Sequence, residues 1–139
     1  MRALVVEAGL EAQVDVDSAG TEAYHVGERA DPRSRETAER RGVRLESRGR
    51  RFEAEDFARF DYVLAMDHEN LERLRARARD DGERAKAMLL RRFEGEPFAD
   101  APVPDPYYGG ASGFEDVYDV CERACRGLLA HLRAEHGLG

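Results

Sequence analysis

Phe60-Asp61-Tyr62-Val63-Leu64-Ala65-Met66-Asp67 is a short, mostly apolar run closed by an aspartate. Such a run predicts a β-strand covered on both faces, the kind found in parallel sheets. Asp67 is placed to cap a helix, for which Leu71, Leu74 and Ala78 supply an apolar stripe and Asp80-Asp81-Gly82 a stop. A second, weaker strand candidate follows at Ala87-Met88-Leu89-Leu90.

The same alternation extends outward in both directions. Residues 1–9 read as helix, with Leu4, Val5 and Ala8 on one face and Gly9 as its stop, yet no Ser, Thr, Asp or Asn precedes it as a cap. Val14-Asp15-Val16-Asp17-Ser18 alternates at period two and predicts a strand, broken by Ala19-Gly20-Thr21. Asp31-Pro32 opens a helix expected to run to Gly42. Residues 97–113 form a long loop rich in Pro and Gly, a type of segment that often carries function. Ser112-Gly113-Phe114-Glu115 fits a capping box, and Phe114, Val117, Cys121, Ala124, Leu128 and Leu132 continue at helical spacing. The expected class is therefore α/β, with a parallel sheet, helices on its faces and a ligand site at the carboxyl ends of the strands.

With 139 residues and 15.6 kDa the chain matches one domain, 1–139. Apolar residues at 42% and charged residues at 37% exclude a wholly disordered or collagen-like chain. No apolar run approaches the ~20 residues needed to span a bilayer and no cleavage signature opens the chain, so a cytoplasmic, membrane-free protein is expected. A net charge of −7 argues against a dedicated nucleic-acid binder, but the average hides an asymmetry. Residues 29–51 hold nine arginines against four acids, whereas residues 94–119 hold seven acids and no Lys or Arg. Solvated helix and loop surfaces account for this; an anion-attracting surface is the alternative. His25, His68, His131 and His136 lack metal-ligand spacing, and neither metal nor cofactor is expected.

Asp17-Ser18-Ala19-Gly20-Thr21, Tyr24-His25-Val26-Gly27, Asp31-Pro32-Arg33, Asp56-Phe57, residues 60–67, Asn70-Leu71 and Asp105-Pro106-Tyr107-Tyr108-Gly109-Gly110 form an ordered set. In order and approximate spacing it resembles the low-molecular-weight protein tyrosine phosphatases. That resemblance implies a three-layer α/β fold of the phosphotyrosine phosphatase I type. It also implies a metal-independent hydrolase of phosphotyrosine, in proteins or small aryl phosphates, working through a cysteinyl-phosphate intermediate. The family's nucleophile lies in a loop reading Cys, five residues, Arg, between the first strand and first helix, where backbone N–H groups and the Arg hold the phosphate.

These 139 residues contain no such loop. Six positions beyond Cys121 is Gly127, and six beyond Cys125 is His131, so both cysteines read as thiols on the last helix's apolar stripe. By resemblance Met1 falls inside the first helix. The expectation is a domain incomplete at its amino terminus, lacking its central first strand, and inactive as it stands.

The resemblance assigns roles to what remains. Asp105 matches the general acid that protonates the leaving phenolate and then activates water. Tyr24, Tyr107 and Tyr108 match walls of the pocket, where an aromatic slot suits a ring-bearing substrate. Ser18 matches a serine that supports the phosphate loop, and Ser47 stands where many members have a histidine. Two other readings stay open: a non-catalytic phosphatase-like binding module, and a thiol redox protein of the arsenate reductase kind. Oligomeric state is not readable.

Overall fold

The structure, a computed structural model, describes residues 1–21, 27–105 and 112–138. Six α-helices are described: α1 (Arg2–Glu7), α2 (Pro32–Arg40), α3 (Asp56–Arg59), α4 (His68–Arg77), α5 (Asp81–Lys86) and α6 (Gly113–His136). Strands β1 (Val63–Ala65) and β2 (Ala87–Leu89) pair in parallel, with Val63 opposite Ala87 and Ala65 opposite Leu89. A 3-10 turn, Leu90–Glu94, follows β2 directly.

The pleat of β1 sends alternate side chains to opposite faces, and each face has its own core. Val63 and Ala65, with Ala87 and Leu89 of β2, pack against Phe52, Phe57, Leu71 and Leu74 from the α3 and α4 side. Leu64 faces the other way, against Ala124, Leu128 and Leu132 of α6, where Leu4 of α1 and Val14 also pack. Helices therefore cover both faces of a small parallel sheet, the three-layer α/β arrangement expected from the sequence.

Helix entries follow local chemistry. The carboxylates of Asp31, Asp67 and Asp80 accept from the N–H groups of Arg33, Asn70 and Glu83 respectively, each capping a helix that opens one residue later. Asp80 corrects the sequence reading: α4 ends at Arg77, and Asp80-Asp81-Gly82 starts α5 instead of acting as a stop. An aspartate followed by Glu at N3 is a start signal, and the glycine beside it masked that signal.

Two further expectations are corrected. Ser112 makes no capping bond; its hydroxyl instead reaches the Asp116 carboxylate at 3.3 Å. Val14–Ser18 is not a strand, although the alternation survives, with Val14 and Val16 half-buried and Asp15 and Asp17 exposed. A strand requires a partner's ladder, and the Val16 carbonyl is taken instead by the Arg2 guanidinium, at 3.0 and 2.8 Å.

α6 lies close against the 3-10 turn. A Cβ built on Gly127 would fall 1.8 Å from the Phe93 carbonyl oxygen, so only glycine permits this approach.

Candidate active site

The carboxyl end of β1 receives the long loop. Val103 donates its N–H to the Met66 carbonyl at 2.7 Å, bringing residues 102–105 to the edge where β1 passes into α4. His68 Nε2 lies 3.0 Å from the Asp100 carbonyl oxygen, a second tie between this loop and α4.

Arg91 holds the loop from the other side. It is 8% exposed, donates from Nη1 to the Pro102 carbonyl at 3.0 Å, and lies 4.7 Å from the centroid of the Phe98 ring. Its charge is met by Glu94 at 2.8 Å, which also accepts from Arg123 of α6 at 3.0 Å. Burial alone would raise the Glu94 pKa, but the two guanidiniums hold it below the ordinary carboxylate value. A buried Arg91–Glu94 pair, joined by the exposed Arg123, thus links the 3-10 turn, α6 and the loop. The sequence reading missed Arg91, whose only local signal is Glu94 three residues on.

A second polar network stands beneath Ser18. Arg50 forks onto the buried Asp56 carboxylate at 3.0 and 3.2 Å and donates from Nε to Asp17 at 3.1 Å. Arg59 and the Glu53 N–H also donate to Asp56, at 3.3 and 2.8 Å. Desolvation pushes the Asp56 pKa upward, and these donors overcome it, so the pKa falls below the ordinary value. Asp17 accepts from the Ser18 N–H at 2.8 Å. Ser47 accepts from Arg2 Nη1 at 2.6 Å, which ties it to the first turn of α1.

Of the residues picked out by resemblance, Asp105 and Ser18 are described and both are exposed. Asp105 sits two residues beyond the Val103 tie, and Ser18 at the end of the extended segment held by Arg2 and Arg50. Tyr24, Tyr107 and Tyr108 lie outside the described residues. Cys125 is buried and Cys121 half-buried on α6. Desolvation, reinforced by Cys125, pushes the Cys121 pKa up to about 11, so it is a neutral thiol at physiological pH. The charge asymmetry also finds a partial explanation: Arg40, the last residue of α2, and Arg41, which follows it, meet Glu115 of α6 at 2.9 and 3.5 Å, joining the basic stretch to the acidic one.

A parallel sheet covered by helices, with an acid-bearing loop tied to the carboxyl end of a strand, defines an α/β protein, a class whose ligands bind at the carboxyl ends of the strands. The sequence profile of the family described as low molecular weight phosphotyrosine protein phosphatase matches residues 1–137. A low molecular weight protein-tyrosine-phosphatase of Streptomyces coelicolor is 42% identical, across 96% of this chain and 82% of the relative. Among solved structures, a product-state mimic of a protein tyrosine phosphatase from Entamoeba histolytica superimposes with a TM-score of 0.87 at 34% identity. It covers 96% of this chain and 83% of that one. Drosophila arginine phosphatase superimposes with a TM-score of 0.83 at 32% identity, over 95% of this chain and 85% of its own. The chain belongs to the low molecular weight phosphotyrosine protein phosphatase family.

Proposed function

We propose that this domain serves the hydrolysis of phosphotyrosine in cytoplasmic proteins, with Asp105 as the acid and base of the reaction. The observation that carries this reading is the Val103-to-Met66 hydrogen bond, which brings the acid-bearing loop to the carboxyl end of β1 in a chain of this family. A phenolate is a poor leaving group, and a carboxyl group donating its proton as the P–O bond breaks removes that barrier. The resulting carboxylate then takes a proton from the water that attacks the cysteinyl phosphate. Tyr24, Tyr107 and Tyr108 serve as aromatic walls for the substrate ring, and Ser18 supports the thiolate's loop.

The nucleophile must come from a Cys-x5-Arg loop, which these 139 residues do not contain. Cys121 and Cys125 do not replace it, being turned into the α6 packing with no arginine six positions on. Their burial also removes support for an arsenate reductase-like activity. A second reading is a non-catalytic phosphatase-like module that keeps the fold.

The test is kinetic. In a polypeptide carrying the family's Cys-x5-Arg loop ahead of residue 1, Asp105→Asn is expected to lower kcat by about 10²–10⁴-fold on phosphotyrosine. On an activated nitrophenyl ester the loss is expected to be far smaller. Equal losses on both esters remove the acid role. No turnover in a correctly folded, loop-bearing protein supports the binding-module reading, and faster release of phosphate from phosphoarginine than from phosphotyrosine overturns the substrate assignment.

A further inference from the structure

Eight of the nine arginines of residues 29–51 divide into two groups. Arg33, Arg40, Arg41 and Arg50 are matched by Asp31, Glu115, Asp119, Asp17 and Asp56. Four of the others converge. Arg29, Arg35, Arg44 and Arg48 line a cleft of about 180 Å³, together with Glu39 and Glu46. Among the described residues Arg29 has no hydrogen-bond or ion-pair partner. Arg35 and Arg48 donate only to backbone carbonyls, of Ala30 and Gly27, both at 3.1 Å. Arg44 meets a neighbouring carboxylate, Glu46, at 3.6 Å and keeps 81% of its side chain exposed.

The backbone of this cleft is cross-linked by hydrogen bonds. Gly27 and Gly49 donate to each other's stretch, Gly27 N–H to the Gly49 carbonyl and Gly49 N–H to Glu28, both at 2.7 Å, and Arg29 bridges to Arg48 in antiparallel fashion. Arg48 follows Ser47, whose hydroxyl is held by Arg2. The cleft therefore stands on the same ribbon as a residue matched to the site's supporting network.

We propose that this cleft is a docking subsite for acidic residues flanking the phosphotyrosine of a protein substrate. Guanidinium groups grip carboxylates through paired N–H donors, and four of them on three short segments suit an extended run of acids. The surroundings sharpen the argument: the chain carries a net charge of −7, so an acidic peptide is repelled by the molecule as a whole and held only where arginines outnumber acids.

The identity of the substrate rests on the phosphotyrosine reading, but the test needs no phosphotyrosine and no turnover, so the two fail separately. Fluorescently labelled hexaglutamate and hexaglutamine peptides are titrated with the 139-residue chain at low salt and followed by anisotropy. Hexaglutamate is expected to bind and hexaglutamine not to bind. Arg29→Ala combined with Arg44→Ala should weaken hexaglutamate by about tenfold or more, since each removes a charge-assisted contact. Arg92→Ala, which removes one charge outside the cleft, should leave binding within about twofold. Glu39→Gln should tighten it, a gain that no loss of folding can mimic. Equal affinity for the two peptides overturns the proposal, as does an Arg92→Ala loss as large as that of the double variant. Displacement of hexaglutamate by inorganic phosphate at equal concentration overturns it in favour of a small-anion site.

Discussion

The loop that ends at Asp105 and the ribbon formed by residues 27–30 and 47–51 are both irregular segments, yet different physics holds them. The loop is fastened from inside: Arg91 and Glu94 are buried, and Arg91 reaches out to the Pro102 carbonyl. The ribbon is fastened by backbone bonds and by Arg50, which turns in to Asp17 and Asp56, while its Arg29 and Arg48 are exposed. A carboxylate such as Glu94 with two guanidinium partners in a dry setting has no cheap alternative to its native geometry. Exposed arginines exchange partners with water at little cost. A residue that must meet a reacting atom is served by the first arrangement, and a surface that must accept varied acidic partners by the second.

Arg91→Ala breaks this comparison most severely. It strands the Glu94 carboxylate with one exposed partner, and a loss of about 3–5 kcal/mol is expected from breaking a buried pair by removing one member. Urea denaturation monitored by circular dichroism measures it, and a loss below about 1 kcal/mol would show that the pair does not hold the loop. Gly127→Ala comes next, because α6 must move away from the Phe93 carbonyl, at a cost of about 1–3 kcal/mol for overpacking. Its midpoint in urea should fall accordingly, whereas an unchanged midpoint would mean that the turn yields freely.

Asp56→Asn sharpens the pH side. The folded-state pKa of Asp56 is depressed, so its stabilising contribution is present above the ordinary carboxylate pKa and is lost as pH falls through the folded value. The wild-type chain should therefore lose stability on acidification from about pH 4 downward, and the variant should lose less over that window. Parallel stability–pH curves would remove Asp56 from the account. The smallest effect is expected at Arg40→Ala, whose partner Glu115 is 39% exposed; about 0.2–1 kcal/mol should be lost, and 1 M salt should erase most of the difference.

Much of the architecture was legible in the chain because it rests on local chemistry. Asp31 and Asp67 announce helix starts through their caps, and the apolar stripe of α6 requires a helix whatever packs against it. Residues 60–66 read as a strand, though only Val63–Ala65 pairs, since the strand length depends on what lies opposite. Val14–Ser18 shows the same limit: alternation states which side faces inward, but a ladder needs a second backbone. Within the candidate site, Asp105 and Ser18 were found by resemblance to a family. Asp56 stood in the ordered motif set without a role; its partners, and Arg91 and Arg50 altogether, were found only in three dimensions, because a buried charge looks in sequence like any other charged residue.

By itself the sequence determined the class of fold, the helix starts, the family and the absence of a Cys-x5-Arg motif from these 139 residues. Those rest on caps, periodicity and ordered motifs, all functions of near neighbours in the chain. Only the tertiary structure decided which of the many arginines are spent in structural pairs and which are left lining a cleft. It also decided that the acid-bearing loop is tied to the end of β1 through Val103 and Arg91. Partners brought together from distant positions fix both outcomes, and the energy of a charge depends on those partners and on its distance from water.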